Sequence, residues 1–528
     1  MNDVAANAPP VQVADAAQQF RSQVGHISRQ SGVFFAGTIF TAALGYFFKV
    51  YLARVLGAEA LGVYALGMTV VGFIGIFNTL GLPQTAVRFV AAYQAQGKFR
   101  ELHALLWRGA GLLVAANIVL AGFLLIFGKV IAIHLYHSEA LARNLPWFAL
   151  IMLFGVVSGF YGKVLSGYRD LKVRTLIVNF IGSPLTMLIA VALLSVGTGL
   201  RGYLVAQVLS AAIISILLLV AVYRFTPVAA RFLMQPGAFP EREVWSFSAA
   251  MLGVGFLEFL TAQVDKIALG SYRGAREVGI YSVAAALVVY VPLVLSSVNQ
   301  IFAPTIADLH ARKEHELLAR LFQSLTKWVL GLTLPLAMVV MVFARPLMRI
   351  FGHDFESGWP ILIIGTAGQL VNCGVGSVGY LLLMSGNQRR LIKVQAAMAV
   401  VTVLACVVLV PKWGMLGAAA AAAVTNVGTN AWNLLEVRKG LGISPYNRSY
   451  WHLVLPTAAT LTIILLLKRY AQLFHHDWLA VGIALALAYC AFTSVFLLSS
   501  GLDADDRLIA SALRSRFRGA LARFKADA

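Results

Sequence analysis

Runs of roughly twenty apolar residues, separated by short polar breaks, recur from near the start of the chain to near its end. A run of about 20 is the length an α-helix needs to cross a ~30 Å hydrocarbon core. Strands of a membrane barrel would show shorter segments of alternating residues instead. Helices are the remaining structure that satisfies its own backbone in lipid. The runs predict an all-α polytopic membrane protein with about fourteen transmembrane helices. The first six spans are 32–54, 60–82, 107–132, 145–166, 174–197 and 202–224. The next six are 244–270, 278–303, 326–351, 359–384, 391–411 and 414–437. A final pair covers 451–468 and 478–500.

The pattern also repeats. Gly57-Ala58-Glu59-Ala60-Leu61-Gly62-Val63-Tyr64 returns as Gly274-Ala275-Arg276-Glu277-Val278-Gly279-Ile280-Tyr281. Phe127-Gly128 returns as Phe351-Gly352, and Gly199-Leu200-Arg201-Gly202 as Gly414-Met415-Leu416-Gly417. Ser166-Gly167-Tyr168-Arg169 returns loosely as Ser385-Gly386-Asn387-Gln388-Arg389. Four matches in order, each in the corresponding loop, define a six-helix unit used twice. Six crossings are even, so both copies have the same orientation, related by an axis along the membrane normal. The expected organisation is a segment over 1–30, six-helix bundles over 31–240 and 241–445, an added helix pair within 446–501, and a tail over 502–528.

Polar loops set the orientation. With the N-terminus inside, most Lys and Arg fall on the cytoplasmic side. These include Arg88, Lys98, Arg100 and Arg108; Lys163, Arg169, Lys172 and Arg174; Arg312, Lys313, Arg320 and Lys327; Arg389, Arg390 and Lys393; and the tail from Arg507 to Lys525. Fewer fall outside, among them Arg54, Lys129, Arg143, Arg201, Arg273 and Arg276. This asymmetry predicts cytoplasmic N- and C-termini. The segment before Gly32 holds no apolar run and is not expected to be a cleavable signal; Val11–Ser31 is open to a surface-helix reading. After Asp503, Leu508, Ala512, Leu513, Phe517, Leu521 and Phe524 recur at helical spacing between arginines. That pattern predicts a basic amphipathic helix on the cytoplasmic leaflet.

Composition agrees with a membrane protein: 59% of residues are hydrophobic and 12% charged, against roughly 25% charged in average domains. The net charge of +20 follows from the loop cations, which are too dispersed for a nucleic-acid surface. Cys373, Cys406 and Cys490 lie inside apolar runs without paired spacing, so they read as small packing residues. His134/His137 and His475/His476 have no third ligand nearby, and no metal or cofactor is expected. No GxxxxGK[ST] phosphate loop is present, so ATP is not the expected energy source.

The stretch from Ser31-Gly32 into an aromatic, Gly-rich helix, then Val55-Leu56-Gly57-Ala58-Glu59-Ala60-Leu61-Gly62-Val63-Tyr64 and Gly81-Leu82-Pro83-Gln84-Thr85-Ala86-Val87-Arg88-Phe89, resembles a known family. It is that of the oligosaccharide-lipid flippases of the multidrug/oligosaccharidyl-lipid/polysaccharide (MOP) exporter superfamily. The Gly386-Asn387 turn fits the same family. The resemblance covers most of residues 30–440 in topology and is specific in sequence over about 30–95. It implies a two-bundle fold of the MATE type. It also implies a flippase that carries an undecaprenyl-diphosphate-linked saccharide from the inner to the outer leaflet by alternating access, in the bacterial inner membrane. The first, second, seventh and eighth helices would line the cleft, and the last two would help form a groove for lipid tails. A polysaccharide polymerase and a chain-length regulator are the implied protein partners.

Charged and polar residues within spans are then the candidates, because charge in mid-bilayer is unfavourable by roughly 3 kcal/mol or more. Lys49 and Lys266 are separated by the displacement of the glycine motif, and as a pseudo-symmetric pair they are candidates for the diphosphate or an acidic sugar. The alternative is that each snorkels to outer headgroups. Glu258, Thr261 and Asp265 share one face of a straight helix, so Glu258 and Asp265 are ion-coupling candidates; the alternative is structural pairing with Lys266. Arg54, Arg88 and Arg273 are headgroup candidates or surface anchors. Asn78, Asn299 and Gln300 lie on the implied cleft helices, where interhelical hydrogen bonds are their other role. A drug/cation antiporter or a peptidoglycan-precursor flippase of the same superfamily are the competing transporters. A membrane glycosyltransferase or polymerase would need a large outer loop or an acid/base cluster that the sequence lacks.

Overall fold

The computed structural model describes residues 10–168, 171–231, 242–470 and 477–499. The predicted basic tail, His475/His476 and Arg169 lie outside them. In chain order the helices are α1 (10–56), α2 (58–78), α3 (Leu82–Ala95), α4 (Phe99–Leu135), α5 (Glu139–Gly167), α6 (Lys172–Ser195) and α7 (Gly199–Phe225). Then come α8 (Arg242–Arg273), α9 (Ala275–Val288), α10 (Leu293–Ala311), α11 (His315–Val342), α12 (Trp359–Val375) and α13 (Val378–Met384). The last four are α14 (Gln388–Trp413), α15 (Met415–Leu441), α16 (Val454–Tyr470) and α17 (Asp477–Ser499). No strand occurs among the described residues.

Among the described residues ten helices are long and apolar enough to cross a membrane, or eleven if the bent pair Ala275–Val288 and Leu293–Gln300 is one span. The sequence reading of about fourteen is not reproduced as a count. Two predicted spans fall in one element, Leu44–Asn78, on either side of a break at Gly57. The predicted span over 278–303 is bent by 51°. The predicted span over 244–270 falls on α8, 32 residues long and outside the qualifying set.

Contacts divide the chain into two compact units. Unit 1 is Met1–Leu56 with Leu66–Phe259; unit 2 is Gly57–Ala65 with Leu260–Ala528. The first two turns of α2 therefore cluster with unit 2. The core of unit 1 joins α3, α4, α5 and α7 through Leu82, Phe89, Leu106, Phe160, Val164 and Leu218. In unit 2 a corresponding core joins α10, α11, α13 and α15 through Phe302, Phe322, Leu381, Leu382 and Val437. The added pair α16 and α17 packs on α11 in the same unit, with Ile464, Ala480, Ala484 and Ala488 against Met338, Val339 and Phe343. Small residues on α17 let its backbone come close to α11.

The repeat seen in the sequence is present in the backbone. Gly57 separates α1 from α2 with φ 76° and ψ 177°; Gly274 separates α8 from α9 with φ 84° and ψ −178°. This region is essentially reserved to glycine. No atom lies within 4 Å of a Cβ added at either residue, so substitution is opposed by torsion alone. Gly57→Ala and Gly274→Ala are each expected to lower stability by about 1–3 kcal/mol, read as a fall in melting temperature in nanodiscs. A fall at one glycine and none at the other would show that the two breaks are not equivalent.

The second helix of each repeat is broken again further along. The α2–α3 junction passes through Leu80 and Gly81, with φ 47° and 67°. A Cβ on Gly81 would stand 2.4 Å from the carbonyl oxygen of Ser248. The glycine thus allows close backbone approach between the α3 start and α8 within unit 1. Pro83 occupies the first turn of α3, where its missing N–H is harmless. The Thr85 and Ser248 hydroxyls are 2.8 Å apart and buried. The Gly81-Leu82-Pro83-Gln84-Thr85 motif is accordingly a helix junction docked on a neighbour.

Candidate functional site

The candidate residues divide between the units. In unit 1, Lys49 and Arg54 are exposed on the last turns of α1 before the Gly57 break. Glu258 is exposed on the part of α8 that belongs to this unit. Arg88 is exposed on α3, its guanidinium over the Phe89 ring at 5.3 Å. Asn78 is buried at the end of α2, where its backbone carbonyl accepts from the Asn117 amide at 3.0 Å. Asn117 is completely buried on α4 and also donates to the Leu113 carbonyl at 2.7 Å. Asn78 and Asn117 therefore tie α2 to α4, the interhelical role that is the usual one for an amide in a span.

In unit 2, Lys266 stands eight residues before Gly274, as Lys49 stands eight before Gly57. Its ammonium donates to Gln263 Oε1 at 2.8 Å. Asp265 is fully engaged: Oδ1 accepts the Lys266 backbone N–H at 2.8 Å and Oδ2 accepts the Tyr281 hydroxyl at 2.5 Å. Tyr281 is 2% exposed. The pair fastens α8 to α9 across the Gly274 break. The pairing with Lys266 weighed from the sequence is a backbone contact; the Tyr281 bond was not foreseen, because it lies beyond the break.

Arg273 is exposed and its guanidinium donates to the Pro411 carbonyl at 3.1 Å, closing the end of α14. This places it as an anchor between helix ends. Asn299 accepts from the Ser377 hydroxyl at 2.5 Å, linking α10 to the Gly376 break between α12 and α13. Gln300 is exposed. The structure thus assigns packing bonds to Asn78, Asp265, Arg273 and Asn299, and leaves Lys49, Arg54, Arg88, Glu258 and Gln300 on exposed surface.

The start of α11 corrects a further expectation. Lys327, counted from the sequence with the loop cations at the start of the predicted span 326–351, lies inside α11 and is 4% exposed. The helix begins at His315, well before the apolar run that marked its predicted start at 326. Its first turns are amphipathic, with Leu318 and Phe322 buried and Glu316 and Arg320 paired outside, so hydropathy alone placed the boundary too late. Among the described residues no group of three or more His, Cys, Asp and Glu is placed to hold a metal.

Two helical repeats, each with a glycine break between its first and second helices, belong to a multi-pass membrane transporter fold of the MOP superfamily. The structure of the lipid II flippase MurJ in an inward closed conformation superposes with a TM-score of 0.70 at 16% identity, covering 88% of this chain and 98% of that one. An inward-facing multidrug resistance MATE transporter superposes at 0.65 with 14% identity, covering 76% and 94%. A Vibrio cholerae MATE transporter superposes at 0.55 with 15% identity, covering 80% and 99%. A family model described as MatE matches residues 250–411. The model described as polysaccharide biosynthesis protein matches residues 27–310, more than half of the chain, and the chain belongs to that family. No curated protein matches.

Proposed function

We propose that the chain is a flippase for an undecaprenyl-diphosphate-linked oligosaccharide. It carries that lipid from the inner to the outer leaflet of the bacterial inner membrane, for cell-surface or exopolysaccharide synthesis. The observation that carries this reading is membership of the polysaccharide biosynthesis family on a transporter fold. The movement proceeds by alternating access and forms no covalent bond. Lys49, the exposed cation of the repeat pair, is assigned to the diphosphate; Lys266, held by Gln263, occupies the equivalent place in unit 2. Arg54 and Arg88, exposed at helix ends, attract the anionic headgroup at longer range. Glu258, exposed on α8, is the carboxylate assigned to ion coupling. A polymerase and a chain-length regulator would take the product at the outer leaflet, and both termini lie in the cytoplasm.

Purified protein in proteoliposomes, given a fluorescent undecaprenyl-diphosphate-linked oligosaccharide in one leaflet, tests the reading. Protein-dependent loss of the label to an added impermeant quencher is expected. Lipid II and a cationic drug, run in parallel, should move no faster than in protein-free vesicles. Movement of lipid II alone would assign the protein to peptidoglycan precursors, and movement of the drug alone to multidrug export. In the same vesicles Glu258→Gln should remove the acceleration by an imposed proton or sodium gradient and leave ungraded exchange intact. Full retention of both gradient responses would return Glu258 to the surface.

A further inference from the structure

Two cations in unit 1 lie together with no carboxylate paired to them among the described residues. Lys163 is on the last turns of α5 and Arg174 on the first turns of α6, at the end of the bundle that the loop asymmetry assigns to the cytoplasm. Both are half-buried. Arg174 lies against Gly162, the chain neighbour of Lys163, where the two like charges oppose each other, and no acidic group among the described residues is paired with either. Neither makes an ion pair or side-chain hydrogen bond among those residues. Two like charges drawn partly out of water raise each other's energy.

The local sequence makes room for this pair. Arg174 lies against α5 at Gly162, where an added Cβ would stand 3.6 Å from Nε. The displacement relating Ser166-Gly167 to Ser385-Gly386 maps Gly162-Lys163 onto Leu381-Leu382. Both leucines are 0% exposed in the core of unit 2. The same displacement maps Arg174 onto Lys393, which is exposed. In unit 2 this position is therefore filled by ordinary apolar packing. In unit 1 a leucine is replaced by nothing and its neighbour by an ammonium, so that a guanidinium can settle beside it. Packing among the described residues gives no reason for that difference; an anion between the two groups would.

We propose that Lys163 and Arg174 form an anion site for the diphosphate headgroup of a lipid at the cytoplasmic end of unit 1, where substrate is loaded before translocation. Arg supplies a planar fork that matches phosphate oxygens, and Lys supplies a compact charge on the same group. The identity of the lipid rests on the flippase reading; the anion site does not. It is separate from Lys49, which is near the opposite end of its helix pair in the predicted topology.

The test uses full-length protein in nanodiscs. Wild type, Lys163→Leu, Arg174→Gln and the double variant are melted with and without inorganic pyrophosphate. Their retention of undecaprenyl diphosphate and of phosphatidylglycerol is read by native mass spectrometry. Lys163→Leu installs the residue of the repeat position and should fold; Lys163→Gln serves if it does not. Pyrophosphate should raise the melting temperature of wild type and not of the double variant. Retention of undecaprenyl diphosphate should fall about tenfold or more on removal of two charge-assisted bonds, with phosphatidylglycerol unchanged. Lys98→Gln with Arg100→Gln, exposed cations at the same end, should leave both readings as in wild type. Equal pyrophosphate stabilisation of wild type and double variant overturns the site. An equal fall for both lipids overturns the diphosphate assignment and makes the pair a general headgroup anchor. A wild type that takes pyrophosphate at this pair and retains no undecaprenyl diphosphate counts against the flippase reading instead.

Discussion

Leucine at Gly62 or Gly279 should abolish transport and lower the melting temperature further than substitution of the hinge glycines Gly57 and Gly274. The two glycines face each other's helices reciprocally. A Cβ on Gly62 would stand 1.7 Å from the Ala275 carbonyl oxygen, and one on Gly279 would stand 1.9 Å from that of Ala58. The obstructing atoms are backbone, so no side chain can swing away. Ala58 with Gly62 on α2, and Ala275 with Gly279 on α9, are each a small-xxx-small pair, the pattern that lets membrane helices cross closely. Even alanine forces the helices apart, and overpacking of this kind is unfavourable by about 1–3 kcal/mol; leucine exceeds that. The two alanine variants should be equal in effect. The double variant should be milder than their sum, because the first methyl already opens the contact the second would meet. Melting of the purified variants and surface polysaccharide in a host that depends on the protein are the measurements. Wild-type melting and transport for both alanine variants would show that the two helices do not cross there.

This contact explains why the repeat was visible at all. Gly57 and Gly274 keep their identity because of their torsions, Gly62 and Gly279 because of their contact, so the same eight-residue motif had to appear twice. Apolar runs were sufficient to find most helices, since lipid leaves the backbone no alternative. They did not show where a helix breaks within a run. The turn at Leu80-Gly81 and the bend before Leu293 interrupt sequence that stays apolar on both sides. They also missed the amphipathic first turns of α11 and so began that helix too late. The site was less legible, because a side chain's partner is set by tertiary contact. Asp265 shares the continuous helix α8 with Glu258, but its side-chain partner, Tyr281, lies sixteen residues on, past the Gly274 break. Lys163 and Arg174 were absorbed into a topological count, which registers the side of a cation and not its burial.

Asp265 and Tyr281 offer the sharpest separation of a structural from a coupling role. The Tyr281 hydroxyl donates to Asp265 Oδ2, and the tyrosine is 2% exposed. Removing either partner leaves a buried polar group without its bond, at a penalty of about 1.5–3 kcal/mol when one group is charged. Tyr281→Phe and Asp265→Ala should therefore each destabilise the protein by that amount. The double variant should be no less stable than the worse single one, since both changes delete one interaction. Chemical denaturation in a fixed detergent gives the three values, and a coupling energy near zero would mean that the bond carries no stability. Transport supplies the second reading. With amounts corrected for folded protein, the double variant should still respond to an imposed proton or sodium gradient as wild type does, because the carboxylate serves to fasten α8 to α9. A folded double variant that flips lipid but ignores both gradients would make Asp265 the coupling acid and reduce Tyr281 to the group that positions it.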